Sequence, residues 1–231
     1  VLRLPRRQDM VDLRMKLFFL DGSPFARIMR VLAREHAIDL LEIEIDGFPL
    51  PESFLDINPL GQVPVLTDGP EVHFPTRVVV DALLSRIVEA NRDVAVTIAR
   101  PCRRTEDEQN LAVILAMGDA LAAHHYAKWA GIGPIEFNRL GFDPAERNMV
   151  RVLRTLDWLE ARMEEGCFQP GLISVQDIAL TCFILWTETR GPIAWRGRPQ
   201  IEMLVRKLEG RHSFLATAPR PHQLKEEPVP R

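Results

Sequence analysis

The hydrophobic spacing of this chain changes period in a fixed order. From Met15 to about residue 90, short apolar or alternating runs interleave with helix-spaced ones. Beyond Thr105 only helical spacing remains. A sheet can therefore be built only from the first part of the chain, and the remainder must bury its apolar stripes helix against helix. The fold class that follows is α/β plus all-α: a small mixed-sheet domain with helices on its faces, followed by an all-helical domain.

Met15-Lys16-Leu17-Phe18-Phe19-Leu20 reads as a buried strand, which Asp21-Gly22 breaks. Ser23-Pro24 is then a capping residue followed by proline at the first helical position. The helix it opens runs to about His36, with Ile28, Val31 and Leu32 at helical spacing. Leu40 to Ile45 alternates as a second strand, Pro51 closes a loop, and Phe54 to Ile57 forms a helical turn. Val63 to Thr67 is a third strand, and Asp68-Gly69-Pro70 turns it into Glu71 to Phe74 as an antiparallel hairpin. A helix over Arg77 to Val88 completes the order βαβ, an irregular link, then ββα.

Helices are expected over Thr105–Trp129, broken only by Gly118, and over Pro144–Glu165. The second carries Val150, Leu153, Leu156, Leu159 and Met163 on one face. Two more cover Val175–Thr189 and Pro199–Leu208, with a short one near Ser213. Ser174 and Asp177 stand as a capping box, the sharpest helix start in the chain and a structural centre rather than a site. The expected organisation is a disordered extension 1–14, a sheet domain 15–90, a linker 91–104, a helical domain 105–218 and a disordered tail 219–231.

Several function classes fall away on composition. A net charge of -3 leaves no basic footprint for nucleic acid. No apolar run approaches the roughly 20 residues of a membrane span. Cys102, Cys167 and Cys182 are scattered, with neither a CxxC pair nor metal-ligand spacing, which points to a reducing cytoplasm and to small buried or half-buried residues. His124 and His125 are adjacent and do not share a helix face, so no metal site is expected there. Ser23 stands between strand and helix, where a hydroxyl either caps the helix or holds an anion or thiolate at its N-terminus.

Four motifs in order resemble the cytosolic glutathione transferase superfamily over residues 15 to 218. The first is Met15-Lys16-Leu17 through Ser23-Pro24-Phe25, with Arg30 on the following helix. The second is Asn58-Pro59-Leu60-Gly61-Gln62-Val63-Pro64-Val65-Leu66. The third is Thr76-Arg77-Val78 leading to Asp81-Ala82-Leu83, and the fourth is the capping box at Ser174. The resemblance implies a thioredoxin-like N-terminal domain, an all-helical C-terminal domain and a symmetric homodimer. The activity it implies is conjugation of glutathione to a small electrophile, or isomerisation through a glutathione adduct, by a bacterial serine-type enzyme. Glutathione would be co-substrate, with no metal, no nucleic acid and no membrane, in a cytoplasmic detoxifying role.

Residue by residue, the family carries a Tyr, Ser or Cys near the end of its first strand to hold the glutathione thiolate. The only tyrosine here is Tyr126 and no cysteine precedes Cys102, so that role is implied for Ser23. Val63-Pro64 is implied to be cis, exposing the Val63 backbone to the cysteinyl part of the peptide. Gln62 is either a contact to the glycyl carboxylate or an exposed loop amide, and Thr76 would receive the γ-glutamyl carboxylate. Where the family commonly has an acid for the γ-glutamyl ammonium, this chain has Pro75, and Asp81 or an acid of a partner subunit would have to substitute. Phe25, Tyr126 and Trp129 either line an apolar pocket for the second substrate or belong to the core. The alternative function is a non-catalytic protein of the same fold.

Overall fold

The computed structural model of the protein describes residues 14–46, 50–90, 101–132 and 141–221. The expected N-terminal extension, the loop at Gly47, Phe48 and Pro49, most of the expected linker and the tail from residue 222 lie outside the described residues. The chain divides into two compact units. Of the described residues, the first unit holds those up to Ala90 together with His212–Pro219, and the second holds the helical remainder.

In the first unit the order is β1 (Met15–Phe19), α1 (Pro24–Glu35), β2 (Leu40–Glu44), α2 (Glu52–Leu55), β3 (Val65–Asp68), β4 (Glu71–His73) and α3 (Thr76–Ala90). The four strands form one sheet in the order β2-β1-β3-β4. β1 runs parallel to β2, as a crossover through α1 requires, and antiparallel to β3, which forms the hairpin with β4. This is the thioredoxin-like mixed sheet expected from the sequence. β3 starts at Val65, because Pro64 has no N–H to give to a ladder. Phe18, Ile45, Phe54 and Val65 form a core cluster on one side of the sheet, with the Phe18 and Phe54 rings edge-on at 6.2 Å.

The second unit contains a 3-10 turn at Pro101–Arg103, then α4 (Arg104–Trp129), α5 (Pro144–Glu160), α6 (Val175–Arg190) and α7 (Pro199–Leu208). A last short helix, α8 (His212–Leu215), groups with the first unit, although the sequence placed residues 105–218 in one helical domain. The reason is Arg27 on α1. Its buried guanidinium donates to the Phe214 carbonyl at 2.9 Å and lies 5.7 Å from the Phe214 ring centroid.

Three expectations change. α5 stops at Glu160 rather than Glu165, because Glu165 and Gly166 both take positive φ in a tight turn bridged by Glu164 and Cys167. Its buried stripe is Val152, Leu156 and Leu159, at i, i+4 and i+7, which turns Val150 to the opposite, exposed side. Cys102, expected at least half-buried, is exposed in its 3-10 turn. Gly118 does not interrupt α4. It lets α6 come close, since a Cβ there would lie 2.2 Å from Phe183 Cζ.

The capping box is formed as read. Asp177 N donates to Ser174 Oγ, and the Asp177 carboxylate accepts from the Ser174 N–H and from Phe168 N. Burial pushes the Asp177 carboxyl up, against the pull of those hydrogen bonds.

Candidate functional site

Ser23 lies at the end of β1, where the chain turns from strand to helix. Its backbone is extended, and its Oγ accepts from Ala26 N at 3.2 Å as the cap of α1. That bond uses a lone pair and leaves the hydroxyl proton to donate. The two sequence readings of Ser23 are therefore compatible, because the cap orients the oxygen without consuming its donor. Ser23 is half-buried, and its own N–H donates back to Leu20 O at 3.0 Å, which closes the turn.

Arg30 anchors this corner from about two turns further along α1. Its guanidinium sits 4.3 Å from the Phe19 ring centroid and donates to Glu42 at 2.8 Å, joining α1, β1 and β2 through one side chain. Arg34 pairs with the other oxygen of Glu42. Burial would raise the Glu42 carboxyl, but the hydrogen bonds and charges of Arg34 and Arg30 prevail and hold it below its ordinary value.

The loop before β3 is organised by a residue whose role the sequence reading left unassigned. Asn58 is buried, its Nδ2 donates to Gln62 O at 2.7 Å and its Oδ1 accepts from Leu60 N at 3.0 Å. Asparagine ahead of Pro-Leu-Gly is a signal for such self-bonded turns. Gly61, at φ +58, completes the bend. The chain then delivers Val63 half-buried, with no hydrogen bond to its N–H or C=O among the described residues. The Val63-Pro64 peptide is cis, as is Phe74-Pro75. The Gln62 side chain is exposed.

Thr76 is the first residue of α3 and is half-buried. The carbonyl of Pro75 accepts from Val78 N at 2.9 Å and Val79 N at 3.2 Å, so the N–H groups of Thr76 and Arg77 are the free donors of this helix start. Pro75 is exposed and has neither an N–H nor an acceptor side chain. Asp81 is engaged by Arg77, one turn along α3.

Sheet register brings these places to one end. β1 pairs Phe18 with Val65, and β3 pairs Leu66 with His73. The residues that follow β1, precede β3 and follow β4 therefore leave the sheet at the same end. The carboxyl end of β1, the approach to β3 and the exit of β4 thus share an edge, which holds a hydroxyl donor, an unpaired backbone step and a helix N-terminus.

The other expected pocket residues are described unit by unit. Phe25 is half-buried on α1. In the second unit Tyr126 is exposed, and its ring lies 5.5 Å from the half-buried Trp129. Trp129 packs on Trp186 at 6.1 Å and on the buried His125 at 5.8 Å. Burial pushes His125 below the ordinary histidine value, against the two carbonyls it faces, Leu121 O at 2.9 Å and Gly191 O at 3.1 Å. Among the described residues no cluster of three or more His, Cys, Asp or Glu side chains is placed to hold a metal ion. Nor is any helix there long and apolar enough to cross a membrane.

The family model for the glutathione S-transferase N-terminal domain matches residues 17–89, which contain all of this edge. An uncharacterised glutathione transferase-like protein of Escherichia coli, YibF, is 26% identical over 211 residues, covering 89% of this chain and 98% of the relative. Residues 17–89 form a glutathione S-transferase N-terminal domain. A glutathione S-transferase of Methylobacillus flagellatus, solved with glutathione bound, is 25% identical with a TM-score of 0.70, covering 89% of this chain and 100% of that one. A family member from Pseudomonas fluorescens, also with bound glutathione, shares the fold at 23% identity and a TM-score of 0.72, over 89% and 99% of the two chains. The chain shares the two-part architecture of these two structures, and both of them hold glutathione.

Proposed function

We propose that the chain is a serine-type glutathione transferase, with glutathione as co-substrate and a small electrophile as second substrate. The observation that carries the reading is the spare proton of the Ser23 hydroxyl, left free by the cap, on the same sheet edge as the unpaired Val63 backbone. An extended cysteinyl residue would add to the Val63 N–H and C=O as a strand does. Its sulfur would then accept from Ser23 at the positive end of α1. A free thiol with a pKa near 8.5 is only a few per cent ionised at neutral pH. Lowering that pKa by about two units needs roughly 2.7 kcal/mol of thiolate preference. One charge-assisted hydrogen bond plus a helix terminus supplies that order.

The γ-glutamyl carboxylate is assigned to the Thr76 hydroxyl and the first N–H groups of α3, and Gln62 to the glycyl carboxylate. Phe25, Tyr126 and Trp129 are assigned to the apolar body of the electrophile. A cytoplasmic homodimer is the assembly this reading implies.

Pro75 favours a second reading, a glutathione transferase fold used for binding alone, because nothing at that position accepts from the γ-glutamyl ammonium and Asp81 is spent on Arg77. Binding to immobilised glutathione, followed by conjugation of a chloronitrobenzene and isomerisation of a maleyl substrate, separates the two. The enzyme reading expects binding at millimolar glutathione or below. It also expects turnover to fall by about tenfold or more in Ser23→Ala, the cost of roughly one charge-assisted hydrogen bond. No binding at millimolar glutathione rejects the enzyme. Binding with turnover untouched by Ser23→Ala rejects the serine while leaving the class in place.

A further inference from the structure

Within the first unit, α1 is fastened to the short helix α8 at two places. Near the start of α1, the buried Arg27 donates from Nη2 to the Phe214 carbonyl at 2.9 Å and from Nε to Thr217 Oγ1 at 3.4 Å. At its end, Glu35 accepts from the buried Ser213 hydroxyl. Thr217 Oγ1 in turn donates to Ser213 O at 2.8 Å, so the groups that meet Arg27 and Glu35 belong to one hydrogen-bonded turn. The two fastenings stand about 12 Å apart along the axis of α1. α8 is thus a splint laid along the helix whose first turn carries Ser23.

α1 has other means of staying on the sheet. Ile28, Val31 and Leu32 are fully buried, and that apolar packing holds the helix down. Apolar burial is non-directional, so it does not by itself fix the roll or slide of the helix. A hydroxyl that must meet a sulfur at hydrogen-bond distance requires both to be fixed. A guanidinium supplies the missing direction, because its donors form a rigid planar fork. Arg27 is also the residue whose backbone N–H donates to Ser23 O at 3.0 Å, the first bond of α1. One residue therefore bonds Ser23 through its main chain and α8 through its side chain, in the turn where Ala26 N meets Ser23 Oγ.

We propose that Arg27 is a positioning residue for Ser23, which carries the α8 splint to the first turn of α1 and fixes where the hydroxyl points. In this role Arg27 touches no ligand. The consequence for a bound thiol rests on the serine-type reading given above, whereas the fixing of the turn does not.

The test uses the full chain with Arg27→Met, Arg27→Lys and Ser213→Ala. Methionine keeps an apolar stem and removes the donors, lysine keeps a donor and the charge, and Ser213→Ala loosens the far fastening without touching Arg27. Without ligand, amide hydrogen exchange is read residue by residue by NMR. Exchange at the Ala26 and Arg27 N–H groups is expected to rise about tenfold in Arg27→Met, the worth of roughly one hydrogen bond, and less in the other two variants, while Leu66 in β3 stays protected. Unchanged exchange at the start of α1 in all three variants overturns the proposal, as does a rise shared equally with Leu66, which marks plain destabilisation.

With glutathione, the ultraviolet absorbance of the thiolate is titrated against pH. The pKa of the bound thiol is expected to rise by about one unit in Arg27→Met, up to about tenfold less thiolate, and to be largely restored in Arg27→Lys. S-methylglutathione, whose sulfur cannot ionise, is expected to bind all variants alike. A thiol pKa equal to that of the parent protein, or an equal loss of S-methylglutathione, overturns the positioning role. A parent protein that binds no glutathione rejects the serine-type reading alone, and the exchange pattern then decides the role of Arg27 by itself.

Discussion

Replacing Asn58 by alanine isolates what holds the Val63 edge in place. The side chain makes two hydrogen bonds, to Gln62 O at 2.7 Å and from Leu60 N at 3.0 Å, and is 1% exposed. Each bond is worth roughly 0.5–1.5 kcal/mol net, so about 1–3 kcal/mol is at stake. Gln62 and Leu60 are themselves exposed, so water reaches the groups left behind, and the full penalty for buried unpaired atoms is not incurred. About 2 kcal/mol of lost stability is the expected result by urea unfolding. Asn58 is not expected to touch glutathione, yet freeing the loop removes the fixed Val63 step, so affinity is expected to fall about tenfold, roughly 1.4 kcal/mol.

Asn58→Asp sharpens the test. It keeps the acceptor for Leu60 N and sets a carboxylate against the Gln62 carbonyl, so burial and lone-pair opposition raise its pKa in the folded protein. Protonation restores a donor. The variant's deficit relative to the parent protein is therefore expected to shrink as pH falls through that raised pKa. A loss below about 0.5 kcal/mol in Asn58→Ala, with glutathione bound as tightly as before, would refute the role given to Asn58.

Other perturbations probe the second unit. Gly118→Ala gains about 1 kcal/mol of helix propensity, but its Cβ would lie 2.2 Å from Phe183 Cζ, so overpacking is expected to prevail and lower the thermal midpoint by several degrees. His125 is buried with a lowered pKa, so unfolding binds a proton as pH falls below the ordinary histidine value. Its contribution is therefore complete above about pH 6.5 and lost in acid down to the folded pKa, a slope that His125→Gln should flatten in pH-dependent urea titrations. Cys102 is exposed while Cys167 and Cys182 are buried, so a thiol reagent is expected to label one cysteine in the native protein and all three after unfolding.

The first unit was legible because its signals are local. Proline at the first turn of α1, the alternation of Leu40 to Glu44 and the Asp-Gly turn before β4 each need only neighbouring residues. The same holds for the capping box at Ser174. The misreadings have a different origin. Spacing of three along Val150, Leu153 and Leu156 mimics a stripe, but it drifts about 60° at each step, so the structure selects Val152, Leu156 and Leu159 instead. The end of α5 depends on Gly166, where a Cβ would meet Met203 and Leu204, an approach across many residues that periodicity does not carry. At the candidate site, Ser23, Val63 and Thr76 were nameable one at a time. Their common edge emerges only once the two ladders fix the register.

The short helix at Ser213 and Phe214 belongs to the sheet that begins at Met15, with Arg27 as its fastening. The first unit thus begins to leave the ribosome before the second and is finished after it. Until α8 is made, α1 lacks the carbonyl that Arg27 engages, and nearly the whole helical unit is translated in the interval. A nascent chain would therefore carry an incomplete sheet unit while the helical unit is made, and a stop codon shortly before residue 212 would remove α8 from a unit whose strands lie far upstream.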